Sequence, residues 1–362
     1  MIVRFKFNLR RLFSGRWGLL FVFLLFVVVL VFSCFVLMFT GVFSFGIWGS
    51  DVVVSDEVEL YSAVNNAIRP TTIVFSNDIV LTELLVVPKG KDVTLTSNCI
   101  GGGFYKLVGC SVSTISVEEG GVLRLDGIFV TNKSGAGRGV TVTSGGKLFL
   151  YSGEISGNHG VQDGGGGVYV AGSFIMSGGK ISDNTAFDRG GGVYLFNGSF
   201  SMSGGSITNN IAFVVVDNNH TVYGAGGGVY ATPNSSNTFS MSGGHISGNT
   251  ARYGGGAYLD IGSFRLLSGT ISGNTAEWGG GIYISSTVSF SLTNTEILDN
   301  NGGDIYQYHY GGDNETPNSD SSNNSGWVSF SLSRDMIVWI GLIVIIVCVI
   351  VAVLFFASKA KL

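Results

Sequence analysis

The sequence predicts an all-β fold, a right-handed parallel β-helix with an N-terminal capping helix, flanked by transmembrane helices. Three observations lead there. Ile-Ser-Gly-Asn, a short turn and Gly-Gly-Gly-Val-Tyr recur along the chain, the Ile standing at 155, 181, 207, 246, 271 and 297. Glycine is 56 of 362 residues, yet only 12% of residues are charged. The two long apolar runs lie at the two ends.

Composition narrows the class. The glycines follow no collagen-like triplet, and an apolar content of 45% is too high for disorder. A Gly-rich, aromatic-containing, charge-poor chain reads as many short strands joined by tight turns. Charge is partitioned along it. Between Asp51 and Asp335 stand all 24 acidic residues and 13 of the 20 basic ones, a net of −11. The other basic residues are Arg4, Lys6, Arg10, Arg11 and Arg16, then Lys359 and Lys361. An acidic body excludes nucleic acid from the expected partners.

Residues 1–49 read as a cytoplasmic basic segment and a signal anchor, Leu19–Phe39, an apolar run of 21 residues. A cleaved signal peptide is the alternative. Met336–Ala357, 22 residues, is long enough to cross a bilayer core of about 30 Å and reads as a C-terminal transmembrane helix. Residues 358–362 are then a cytoplasmic tail. The basic flanks place both termini in the cytoplasm and the body on the extracellular side of the cell membrane. Within the body, 50–310 is the β-helix ectodomain and 311–335 a flexible stalk rich in Gly, Asn and Ser.

Asp56 followed by Glu59 is a capping-box pattern that opens a helix from Glu57 to Ile68, with Val58, Tyr61, Val64 and Ile68 on one face. Such a helix covers the open end of a solenoid. Strand-rich coils follow through Ile73-Val74-Phe75, Ile79-Val80-Leu81, Leu85-Val86-Val87 and Val93-Thr94-Leu95. In the clear repeats, Leu148, Phe174, Phe200, Phe239, Phe264 or Phe290 stands seven residues before each Ile. Leu150, Met176, Met202, Met241, Leu266 or Leu292 stands five before it. In Phe200-Ser201-Met202, alternation sends Phe and Met inward and Ser outward. One unit cannot bury its own apolar side; stacked on the next, it gains parallel pairing and a shared core.

Asn158, Asn184, Asn210, Asn249, Asn274 and Asn300 end the Ile strand in every repeat. Asn tolerates the left-handed turn, and stacked amides can bond one another as a structural ladder. Gly-Gly-Gly-Val-Tyr with Ile-Ser-Gly-Asn resembles the short repeats of polymorphic outer-membrane proteins, and the adhesin-like right-handed β-helix proteins of archaea and some bacteria, over roughly residues 70–310. The chain departs from the outer-membrane family in having Ile-Ser-x-Asn for Phe-x-x-Asn, and a terminal apolar segment instead of a secreting β-barrel. The resemblance implies a pectate-lyase-like solenoid used for adhesion or surface display.

Parallel β-helices also host polysaccharide lyases and hydrolases. Glycoside chemistry generally needs two carboxylates at a defined separation. Here Asp163, Asp183, Asp188, Asp217 and Asp260 are scattered, and His159, His220, His245 and His309 stand apart. No catalytic residue, metal site or cofactor is expected. Cys34 and Cys348 fall in the membrane segments, leaving Cys99 and Cys110 as the disulfide candidate of the ectodomain. Sequons at Asn132, Asn197, Asn219, Asn234, Asn314 and Asn323 are compatible with an external location.

Two features suit binding. Tyr169, Tyr194, Tyr230, Tyr258, Tyr283 and Tyr306 share one register with aliphatic neighbours, so alternation turns the tyrosines outward as an exposed strip. Such a strip suits sugar rings or a partner protein, or merely stabilises neighbouring coils. The second feature is an insertion, Ile211 to Ala225, in one coil. The sequence therefore reads as a membrane-anchored, adhesin-like cell-surface protein that binds glycans or proteins. A carbohydrate-active enzyme and a structural envelope protein are the alternatives.

Overall fold

The computed structural model describes residues 51–308 except 69, 98–102, 134, 136, 161–163, 214, 218–219, 223 and 286–287. Both expected membrane spans, the stalk, the tail, Cys99, Asp163 and His309 lie outside the described residues. Among those described, no helix is long and apolar enough to cross a membrane.

The body is a parallel β-solenoid of mostly short strands that end at glycine corners, although Val229–Ser247 and Ala257–Ser272 each run on as one strand. Each coil passes through three faces, named here for the residue each buries or displays. The Phe face runs from Asp51–Val54 and Thr71–Phe75 through Asp92–Ser97, Val122–Asp126, Lys147–Leu150, Ser173–Met176 and Ser199–Met202. It ends with 238–241, 263–266 and 289–292. The Ile face runs from Ile79–Val80 through Lys106–Gly109, Ile128–Asn132, Gly153–Ser156, Lys180–Ser182 and Ser206–Thr208 into 245–247 and 270–272. The Tyr face runs from Leu85–Val87 through Ser113–Val117, Arg138–Val142, Val168–Val170 and Val193–Leu195 to 229–231, 257–259, Ile282–Ile284 and Ile305–Gln307. Parallel register puts like residues over like. Phe174, Phe200 and Phe239 stack with centroids 4.7 and 5.0 Å apart and rings almost parallel. Met176, Met202, Met241 and Ile207 are fully buried in the same core, while Ser201 between Phe200 and Met202 is exposed.

The asparagines form one continuous ladder. Each Nδ2 donates to the Oδ1 of the asparagine one coil on, from Asn158 to Asn184 at 2.8 Å and from Asn184 to Asn210, Asn249, Asn274 and Asn300 in turn at 2.9 Å. The same nitrogen in Asn184, Asn210, Asn249, Asn274 and Asn300 also donates to the carbonyl of an earlier Ile, so each rung from Asn184 to Asn274 ties three coils together. The left-handed turn falls one residue earlier than expected. Gly157, Asp183, Asn209, Gly248, Gly273 and Asp299 hold φ between 54° and 68°. That position needs Gly, Asn or Asp, which leaves the ladder asparagine free to face inward. At the last rung, Asn300 Nδ2 donates 2.9 Å to Asp304 Oδ1, so a carboxylate takes the place of a further amide.

The N-terminal end is covered. The helix spans Glu57–Asn66, with Asp56 Oδ1 accepting from Glu59 N at 2.9 Å. Its buried side is Leu60, Ala63 and Val64, with Tyr61 partly buried against the core, so the expected face holds at Tyr61 and Val64 and fails at Val58 and Ile68, which are exposed. The helix packs on Asp51–Val54, a strand the sequence reading did not foresee, which pairs with Thr71–Phe75. The helix also contacts Thr71–Phe75 and Leu85–Val87. In the inserted loop, Val215–Asp217 and His220–Val222 pair antiparallel as a hairpin.

Candidate functional site: the aromatic face

Strand alternation turns the Tyr-face valines and leucines into the core and the tyrosines away from it. All six tyrosines stand in direct register. Centroids are 5.3 Å apart for Tyr169–Tyr194, 5.4 Å for Tyr194–Tyr230, 5.0 Å for Tyr230–Tyr258, 4.8 Å for Tyr258–Tyr283 and 5.2 Å for Tyr283–Tyr306. The expected exposed strip needs correction, because Tyr194, Tyr230 and Tyr283 are only 4%, 5% and 9% exposed. Coil spacing is close to ring-stacking distance, so each ring covers the next. The glycine corner lies against their flank: a Cβ on Gly190 would meet the Tyr194 Cβ at 2.8 Å, and one on Gly226 the Tyr230 Cβ at 2.7 Å. The stack is a second, smaller core with Ala225. Replacing Tyr194, Tyr230 and Tyr258 together by Ser is therefore expected to cost several kcal/mol, from about 1.5–3 kcal/mol of burial per ring. Thermal unfolding followed by circular dichroism would read this as a lower transition temperature.

The surface that remains open lies beside the stack. In the corner column Arg189, Ala225, Tyr253 and Trp278 bridge in parallel. Tyr253 and Trp278, both half-buried, stack at 4.9 Å, and Tyr253 meets Tyr283 edge-on at 5.5 Å. Arg252 lies over both Tyr253 and Trp278 and bonds Glu277 at 2.6 Å. On the other flank Phe196 is 45% exposed and stacks on Tyr169 at 5.9 Å, and Tyr308 is exposed at the last coil. The sequence reading missed Tyr253, Trp278 and Phe196. Their one signal was aromatic character recurring at a corner, where strand alternation gives no direction.

Polar groups are few and specific. Arg189 Nε reaches Asp188 Oδ2 at 3.1 Å, and its guanidinium lies 5.5 Å over the Tyr230 ring. Burial pushes the Asp188 carboxyl above its usual range, opposed by Arg189. Burial likewise raises Asp260, opposed by a Ser285 hydrogen bond and by Arg189. Both carboxyls bind a proton more readily folded than unfolded, so each favours the fold as pH falls. Burial raises the Tyr258 phenol to about 12 and shifts Tyr230 and Tyr283 the same way, so all three remain donors at neutral pH.

The remaining candidates do not gather. His159 and His245 are both exposed, and His159 bonds Thr185 in the adjacent coil. Asp183 sits in the left-handed turn. Cys110 is half-buried, and Cys99, its expected disulfide partner, lies outside the described residues. Among the described residues no group of His, Cys, Asp and Glu is placed to hold a metal ion.

Fold and surface together define a class: a parallel β-solenoid with an asparagine ladder inside and an aromatic face outside. The chain matches no protein-family model, no curated protein and no solved structure, so function has to be argued from that surface.

Proposed function

We propose that this chain is a membrane-anchored, non-enzymatic cell-surface protein that binds glycans through its aromatic face. The observation that carries the reading is the partly open aromatic surface along the tyrosine stack: Trp278 over Tyr253 on one flank, Phe196 on the other, and arginines laid across the rings. Sugar rings present C–H faces to aromatic planes and hydroxyls to charged groups, which suits this mixture. A flat face spread over several coils favours weak contacts summed along an extended chain. The experiment is a glycan array probed with the full chain in detergent. Saturable binding to a defined glycan is expected, and uniform absence of signal would move the reading to a protein partner. For the membrane reading, protease added to intact cells should remove the solenoid and spare the C-terminal tail. A protected solenoid would contradict it.

One observation favours a second reading, a carbohydrate-active enzyme. Burial raises the Asp188 and Asp260 carboxyls, Arg189 opposing the shift in each, and a carboxyl raised by burial can serve as a general acid. Polysaccharide turnover abolished by Asp260→Asn would establish that reading over the first.

A further inference from the structure

Two of the six sequons, those at Asn132 and Asn197, have their asparagine side chains among the described residues, and the surroundings of the two differ. Asn132 is only 4% exposed, and its Nδ2 donates to Ser111 O at 2.9 Å and to Thr114 Oγ1 at 3.2 Å. An amide held in this way inside a close-packed coil has no room for a bulky substituent and would lose both bonds to one. Asn197, in Asn197-Gly198-Ser199, is exposed.

Turn length explains the difference. Val168–Val170 and Ser173–Met176 are joined by two residues, whereas Val193–Leu195 and Ser199–Met202, in register with them, are joined by three. The longer turn is taken up by Asn197 at φ 60°, a left-handed conformation that asparagine tolerates. The two residues after it are fixed: Gly198 N donates to Asn237 Oδ1 of the next coil at 3.0 Å, and Ser199 N to Gly172 O of the coil before at 2.9 Å. A Cβ on Gly198 would lie 2.7 Å from Gly172 O, so the middle position of this sequon has to be glycine. The acceptor amide therefore stands outside the solenoid on a turn anchored on both sides. Beside it, Phe196 is 45% exposed and lies against Tyr169 at 5.9 Å and Tyr194 at 6.2 Å. Its open surface is an apolar plane of the kind against which the C–H face of a pyranose packs.

We propose, resting on the extracellular placement of the solenoid given above, that Asn197 is an N-glycosylation site and that its first sugar packs on Phe196. The donor class is a sugar carried on a lipid pyrophosphate. The anomeric C–O bond to the pyrophosphate breaks and the lipid pyrophosphate leaves with the electron pair. Asn197 Nδ2 forms the new bond to the anomeric carbon, and one amide proton passes to a base of the transferring enzyme. Ser199 completes the motif that such an enzyme reads. Chains without the sugar keep the Phe196 flank open, whatever the aromatic face binds.

The full chain, expressed in a host that N-glycosylates secreted proteins, tests it. Intact cells are labelled with a membrane-impermeant biotin ester, and peptides of the purified protein are mapped by mass spectrometry. Peptides spanning Asn197 are expected to carry a glycan in most copies, with Asn132 bare in folded chains and Ser199→Ala losing the Asn197 glycan. A bare Asn197 in a solenoid that the label reaches would overturn the proposal alone. A bare Asn197 in a solenoid that the label does not reach would overturn it together with the extracellular placement. Packing on Phe196 is read from unfolding temperatures in a double-mutant cycle. Ser199→Ala should lower the unfolding temperature of the glycosylated wild type and change that of Phe196→Ser much less. An equal drop in both backgrounds would overturn the contact with Phe196.

Discussion

Ile207→Asp is expected to unwind the central coils, while Ser201→Asp, six residues away, leaves them folded. Ile207 is fully buried between Ile181 and Ile246, its register partners on either side. A carboxylate there has no cation within the core, so it ionises at a cost of several kcal/mol or takes a proton and still lacks a partner. In a stacked array that loss also removes the interface each neighbouring coil relies on. Ser201 is exposed on the opposite side of its strand, where a charge should change stability by about 0.5 kcal/mol or less. Limited proteolysis should cut the first variant within the solenoid and leave the second resistant. Equal resistance would show that the strand phase is wrong.

The second large effect is expected at the ladder. Asn210 Oδ1 accepts from Asn184 N at 3.0 Å and from Asn184 Nδ2 at 2.9 Å, while Asn210 Nδ2 donates to Ile181 O and Asn249 Oδ1. Asn210→Ala strands two donors and a carbonyl where no water reaches, at about 1–3 kcal/mol each. Asn210→Asp keeps the acceptor but turns a second oxygen on the Ile181 carbonyl and the Asn249 amide oxygen. Its carboxyl would hold a proton more tightly folded than unfolded, so this variant should regain stability as pH falls. Denaturation at pH 7 and pH 4 checks the sign: the gap between Asn210→Asp and wild type should narrow at pH 4. At the ladder's end the same chemistry is tolerated, because the exposed Asp304 carboxylate accepts from Asn300 N and Nδ2 and is open to solvent among the described residues.

Inward and outward residues in the repeats were legible in the sequence because a period of two fixes direction wherever a strand is three or more residues long. Phe200, Met202 and Ile207 follow from this, as does the common side of the six tyrosines. Burial of those tyrosines was not legible. It depends on the vertical spacing of coils and on the close approach of Gly190 and Gly226, which no pattern within one repeat records. The helix face was misjudged in part, for a related reason. Val58 and Ile68 are apolar, but covering Leu60 and Ala63 depended on the strand Asp51–Val54, which lies before the first recognisable coil. Trp278 and Tyr253 sit at a glycine corner, where alternation gives no direction. Asp304 looks like any turn aspartate until the ladder reaches it.

Under the proposed function, the stacked tyrosines hold the coils and the open aromatics beside them bind. Full-length protein carrying Phe196→Ser and Trp278→Ala tests that separation most directly, measured beside Tyr230→Ser for unfolding temperature and for affinity to whichever glycan the array selects. The first variant is expected to unfold within a few degrees of wild type and to lose at least tenfold in affinity. Tyr230→Ser should unfold clearly earlier while its folded fraction still binds. Undiminished binding by a fully folded Phe196→Ser, Trp278→Ala protein would contradict the account.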